Sequence, residues 1–163
     1  MHANIAERIA YGTPLDPVAD ETPFHVVPRS GTVLIGRLLL AAIFLVSGFA
    51  KLVDVEGTAG YMTAVGIPAA HTLTVVAGVA EILGALAIAI GLLARIGALG
   101  LILYLIPTTL IFHGFWAYEG SEQKLQLVNF MKNLGIVGGL MLVFAYGAGR
   151  YSVDAKLRKP LQA

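Results

Sequence analysis

The stretch VVAGVAEILGALAIAIGLL, residues 75–93, is a run of Val, Ala, Gly, Ile and Leu interrupted near its centre by one carboxylate, Glu81. About 20 apolar residues, rising ~1.5 Å each, cross the ~30 Å hydrocarbon layer of a bilayer. A charge set midway along such a helix costs at least about 2.5–3.5 kcal/mol, so it turns to the bundle interior and finds a partner. The stretch therefore predicts a membrane helix and, with it, a basic group on a neighbouring helix.

Composition agrees with that expectation. Of the 163 residues, 57% are hydrophobic and 13% charged, against about 45–50% and about 25% in soluble domains. A net charge of +1 gives no basic field for nucleic acid. With no cysteine in the chain, disulfides, thiolate metal sites, iron–sulfur clusters and dithiol exchange are excluded. Residues 1–31 hold four prolines, four acids and two arginines. They lack the apolar core of a signal peptide, so a mostly extended tail is expected, with a helical turn near Asn4–Ala10 and the option of docking on a partner.

Three further apolar stretches join the first. The four spans read as 32–52, 69–93, 96–116 and 125–147, and in lipid each is expected to be a helix, because every backbone group must be satisfied internally. The fold class is thus all-α, an antiparallel four-helix membrane bundle over 32–149 with a basic tail at 150–163. Pro107 predicts a kink in the third span, with Thr108 or Thr109 satisfying the freed carbonyl. In the first outer loop Val55, Tyr61, Met62 and Val65 share part of a helical face, which predicts a short helix along the membrane surface. Eight basic residues (Arg8, Arg29, Arg37, Arg95, Arg150, Lys156, Arg158, Lys159) fall on the side of the termini, and three (Lys51, Lys124, Lys132) on the other. The positive-inside rule then puts both termini in the cytoplasm of a bacterial-type inner membrane.

The spans carry Arg37, Lys51, Glu81, His113 and Lys132. Three and four residues from Glu81 lie Ala77, Gly78, Gly84 and Ala85, with Thr74 a turn beyond, a small-residue face suited to close helix packing. Arg37, Ala41, Phe44, Gly48 and Lys51 form a stripe on the first span, with Ser47 beside it. Lys132 shares a face with Asn129, Gly135 and Gly139, and His113 follows Thr109 by one turn. By rise alone, Glu81 is about 18 Å and Lys132 about 10 Å from the outer starts of their spans, and Arg37 about 8 Å from the inner end of its own. Arg37 and Lys132 are then the expected partners of Glu81, while Lys51 has the option of snorkelling to water. An ion pair that only fixes helix register explains these charges. The excess of cations over the one acid favours instead a site for a carbonyl-bearing or anionic ligand, such as a quinone or an oxyanion.

The segments GRLLLAAIFLVSGFAKL, AEILGALAIAIGLLARIGALGL, HGFW and FMKNLGIVGGLMLVFAYGAGRYSVD resemble the DoxX family of small four-helix membrane proteins. The resemblance runs from Gly36 to Asp154. It rests on R…G-x-x-K (Arg37, Gly48, Lys51), E-x-x-G (Glu81, Gly84), G-x-x-x-R (Gly91, Arg95) and K-N-x-x-x-x-G-G (Lys132, Asn133, Gly138, Gly139). The family takes its name from a subunit of a thiosulfate:quinone oxidoreductase, and other members are associated with redox-stress complexes in membranes. It implies, by analogy, a membrane subunit of a quinone-linked oxidoreductase, with Arg37, Lys51, Glu81, His113, Lys132 and Asn133 as candidate ligand-binding residues.

The competing reading is a non-catalytic accessory subunit that stabilises a larger membrane assembly. Expected partners are the lipid bilayer and other membrane subunits, and a homo-oligomer is open. Haem held by His71 and His113 is the weaker cofactor reading, since nothing else marks a haem pocket. No catalytic or metal-ligating set stands out, and no broken-helix repeat points to a transporter.

Overall fold

The structure is a computed structural model that describes residues 29–157. The Asn4–Ala10 turn, the rest of residues 1–28 and the basic residues Arg8, Arg158 and Lys159 lie outside the described residues, while residues 29–31 of the expected tail belong to the first helix. The elements are α1 (Arg29–Val53), α2 (Val55–Ala64), α3 (Ala70–Ile90), α4 (Ala94–Phe112), a 3-10 turn (Phe115–Ala117), α5 (Gly120–Tyr146) and α6 (Val153–Leu157). α1, α3, α4 and α5 are long and apolar enough to cross a membrane. They form an all-α antiparallel bundle. Its two ends are named here by what they carry: the terminal end has the start of α1 and the finish of α5, and the loop end has α2 and the 3-10 turn.

Each buried stripe follows helical spacing. On α3 it is Ala70, Thr74, Gly78, Glu81, Ala85 and Ile88, and on α4 it is Ala94, Ala98, Leu101, Leu105 and Thr109. α1 packs chiefly on α3, α3 on α4 and α4 on α5, whereas α1 and α5 make only slight contact. Leu40 lies against Gly139 in the half nearer the terminal end. Toward the loop end the two helices leave a cleft.

The first loop does form a helix. Asp54 accepts a hydrogen bond from Gly57 N at 2.9 Å and caps α2. Of the residues expected to share a face, Val55 and Met62 are half-buried. Ala59 is buried, while Tyr61 and Val65 are exposed. Tyr61 instead stacks on Phe112 at 5.6 Å between ring centroids.

α5 begins at Gly120, earlier than the apolar run at 125. At ~1.5 Å per residue this 27-residue helix is about 40 Å long, so its polar first turns emerge from the ~30 Å hydrocarbon layer. α4 is assigned as helix straight through Pro107. Thr108 and Thr109 donate to the carbonyls of Tyr104 and Leu105, at 2.8 and 2.6 Å. The carbonyl that Pro107 leaves free is that of Leu103, four residues back, so the expected rescue by these threonines does not occur.

The segment after α5 folds back over the terminal end. Asp154 N donates to Gly91 O at 2.8 Å. The Asp154 carboxylate accepts from Leu93 N at 2.9 Å and Ala94 N at 3.2 Å, capping the first turn of α4, where free N–H groups and the helix dipole favour an anion. Leu93 is held in the left-handed region at φ 52° in this turn.

Candidate functional site

Glu81 is 2% exposed and points into the bundle from the stripe that its spacing predicts. Its partner is Lys51, whose Nζ lies 3.2 Å from both carboxylate oxygens and donates to Ser47 Oγ at 2.7 Å. Neither Arg37 nor Lys132 makes the expected pair with Glu81.

The direction of helical side chains explains the exchange. A helical side chain leans toward its own N-terminus. α1 starts at the terminal end, so Lys51 leans back from the loop end toward the bundle centre rather than out to water. α3 runs the opposite way, so Glu81 leans to meet it. The same rule carries Arg37 toward the terminal end. There its guanidinium donates to the carbonyls of Ala148, Ala89 and Tyr151, and Nε is buried without a partner among the described residues. On α5, Lys132 leans toward the loop end and donates to Asn129 Oδ1 at 3.0 Å.

Lys132 is exposed, and the buried stripe of α5 is Gln126, Asn133, Leu140 and Val143. The packed face is thus the one centred on Asn133, turned one residue from the expected Lys132 face. Asn133 is fixed there by Thr109, whose Oγ1 accepts from Asn133 Nδ2 at 3.0 Å.

A cavity of about 700 Å³ occupies the half of the bundle nearer the loop end, within the ~300–1,000 Å³ of small-molecule sites. Lys51, Glu81, His113, Lys132 and Asn133 all line it, and Arg37 does not. Most of the remaining wall is apolar or hydroxyl-bearing, including Phe44, Tyr104, Leu105, Thr108 and Ile136. Ile43 on α1 and Lys132 on α5, both exposed, also line it. They flank the cleft between these helices, where the cavity opens to the outside of the bundle. The expected surplus of cations is smaller than the sequence suggests. Arg37 is bound elsewhere and Lys51 is paired, which leaves Lys132 on the rim.

Polar wall groups that went unpredicted as site residues include Ser47 and Tyr104, and Gln126 stands behind the wall, on His113. Ser47, expected to serve packing, accepts from Lys51. Tyr104 lines this cavity and also a second, mostly apolar one of about 470 Å³ between α3 and α4. Its signal was a phenol in the middle of an apolar span. Gln126, 9% exposed, accepts from His113 Nδ1 at 2.8 Å and donates to Glu122 Oε1 at 2.8 Å. His71 is apart from the cavity, 3.3 Å from Glu56 and exposed, so the two histidines do not converge.

The chain matches the DoxX family over residues 32–114. Among known proteins, the inner membrane protein YphA of Escherichia coli (strain K12) is 32% identical over 128 residues, covering 78% of this chain and 91% of its own. The inner membrane protein YqjF of the same strain is 37% identical over 127 residues, covering 78% and 92%. The ER-derived vesicles protein ERV29 of Saccharomyces cerevisiae is 39% identical over 80 residues, 48% of this chain and 25% of its own. No solved structure matches the chain.

Proposed function

The chain belongs to the DoxX family of integral membrane proteins, and on that premise we propose that it is a membrane subunit of a quinone-linked oxidoreductase whose cavity receives a quinone-class ring. The observation that carries the reading is the cavity of about 700 Å³ lined by all four long apolar helices, with a Lys51–Glu81 pair in an otherwise largely apolar wall. A lipid-dissolved ring with oxygens at its edge matches such a wall: the ring buries against Phe44 and Leu105, and the oxygens meet His113, Asn133 and Lys132. The cleft between α1 and α5 gives it a path from the bilayer. Arg37 has no part in this binding and holds the terminal end together. YphA and YqjF are inner membrane proteins by name, and we carry that location over, with both termini in the cytoplasm.

The test is extraction. The protein is purified in mild detergent, its lipids are extracted and quinone is measured, with Glu81→Gln and Lys132→Ala beside the native chain. Quinone at near one per chain in the native sample, reduced in the variants, supports the proposal. Native protein that holds neither quinone nor quinol, and takes up neither form from vesicles loaded with each, overturns it.

The accessory reading keeps one observation of its own: Lys51 and Glu81 satisfy each other with no ligand between them. Under it, neutralising both residues leaves the assembly and its activity intact, while loss of the N-terminal segment dissolves the complex.

A further inference from the structure

Two residues that line the cavity, His113 and Asn133, each carry a hydrogen-bond acceptor whose orientation is fixed by a chain of partners. In the first, Glu122 as a carboxylate can only accept. Gln126 therefore turns its amide nitrogen to Glu122, at 2.8 Å, and its oxygen to His113 Nδ1, also at 2.8 Å. An oxygen there requires a proton on Nδ1. In neutral imidazole that leaves Nε2 as a bare acceptor. Nε2 has no partner among the described residues and is not among their buried unpaired atoms, so it is accessible on a residue that lines the cavity.

In the second chain, the Thr109 hydroxyl donates its one hydrogen to Leu105 O at 2.6 Å. Its oxygen then has only lone pairs for Asn133, which must present its amide nitrogen, at 3.0 Å. Asn133 Oδ1 is the atom left over, again an acceptor and again on a cavity-lining residue. Meanwhile the Lys51 ammonium directs its hydrogens to Ser47 and to both oxygens of Glu81. The hydroxyls of Ser47 and Tyr104 rotate to suit either kind of partner, and Lys132 at the rim keeps hydrogens for the mouth of the cavity.

From this we infer that the cavity selects the reduced, dihydroxy form of its ring ligand, with His113 Nε2 and Asn133 Oδ1 accepting hydroxyl hydrogens. The inference rests on the quinone-class reading above and adds the redox state recognised. A quinone carries only carbonyl acceptors, which these two atoms repel; a quinol offers the hydrogens they lack. Gln126 and Thr109 are positioning residues, each acting through the group it orients.

The full chain in nanodiscs, held without oxygen, is titrated with a short-tailed benzoquinol and with the matching benzoquinone. In parallel, nitrogen NMR of labelled histidine in the ligand-free protein reads the His113 tautomer, at a pH well above the usual imidazole pKa of about 6.5. The expected results are an Nδ1–H tautomer and quinol binding roughly tenfold tighter than quinone, the scale of one to two net hydrogen bonds. Gln126→Met and the near-isosteric Thr109→Val should each narrow the preference, weakening quinol binding and relieving the repulsion of quinone. An Nε2–H tautomer overturns the inference whatever binds. Equal or tighter binding of quinone, or a quinol preference that survives both variants, overturns it while leaving the quinone-class reading in place. Binding of neither ring overturns that reading as well.

Discussion

Gly48 and Gly78 meet where α1 crosses α3, so closely that a β-carbon on Gly48 would lie 2.7 Å from the Gly78 carbonyl oxygen. One on Gly78 would lie 2.8 Å from Leu52. Membrane helices gain little from burying apolar surface against each other, since lipid is equally apolar, and small residues let the backbones approach for dispersion contact instead. Lys51 and Glu81 each follow one of these glycines by three residues. The backbone contact therefore sets the distance across which the ammonium and carboxylate meet, and with it one wall of the cavity.

Alanine at position 48 is expected to be costly although it is the smallest change available. The new methyl meets backbone, which cannot turn aside, and overpacking of this kind costs about 1–3 kcal/mol. Gly138→Ala, where a β-carbon meets nothing within 4 Å, is the control and should fall within about 0.5 kcal/mol of the native chain. Reversible unfolding in mixed detergent micelles measures both. Equal stability of the two variants would show that α1 and α3 are not in backbone contact.

The ion pair makes a second prediction through its asymmetry. Glu81 is 3% exposed at its side chain and Lys51 22%. Glu81→Leu alone strands a partly buried ammonium and should cost about 3 kcal/mol, whereas Glu81→Leu with Lys51→Met should recover most of that, because a buried pair often has little net worth against apolar residues of similar size. The same unfolding assay completes the double-mutant cycle. A double variant as unstable as the single one would mean that the pair itself, rather than the stranded charge, holds the helices.

Hydrophobic run length and small-residue spacing were enough to expect four helices, the antiparallel bundle, the burial of Glu81 and the α1 stripe through Arg37, Ala41, Phe44 and Gly48. Which cation Glu81 meets was not readable from depth alone. Axial rise places Arg37 and Lys132 within reach, and only the lean of side chains toward each helix N-terminus sends both away and brings Lys51 inward. The α5 face was misjudged for a related reason. Gly135 and Gly139 suggested close packing around Lys132; Gly139 does pack, against Leu40, but a β-carbon on Gly135 would meet nothing within 4 Å, and the hydrogen bond from Asn133 to Thr109 decides the rotation. The docking of the segment after α5 had no local signature, because Asp154 caps a helix that begins sixty residues earlier in the chain.

That docking makes the third prediction. Arg37→Met leaves the carbonyls of Ala89, Ala148 and Tyr151 without their donor; the Ala148 bond is the buried one, and a buried unsatisfied group costs about 1–3 kcal/mol. Asp154→Ala removes the cap of α4, worth about 1 kcal/mol. Both should loosen residues 147–157, and Arg37→Met more so. Arg150 and Lys156 are exposed within that segment, so limited trypsin digestion reports the effect as faster cleavage at these two residues, read against cleavage at Lys124 as the internal reference. Unchanged cleavage in Arg37→Met would mean that the guanidinium does not hold the segment down.

The fourth prediction concerns orientation, where the absence of cysteine from the whole chain is an experimental advantage. A single cysteine at Lys124, in the exposed first turns of α5, and another at Lys156, in α6, stand at opposite ends of the bundle. Excess basic charge resists translocation, and among residues 29–157 the terminal end carries Arg29, Arg37, Arg95, Arg150 and Lys156 against Lys51, Lys124 and Lys132 toward the other. A maleimide that cannot cross membranes should therefore label Lys124→Cys in intact spheroplasts, and Lys156→Cys only after lysis. The reverse pattern would invert the topology and turn the Lys51–Glu81 cavity toward the cytoplasm. The proposed quinone site would then exchange protons with the inner compartment, and the charge count would have failed as a guide.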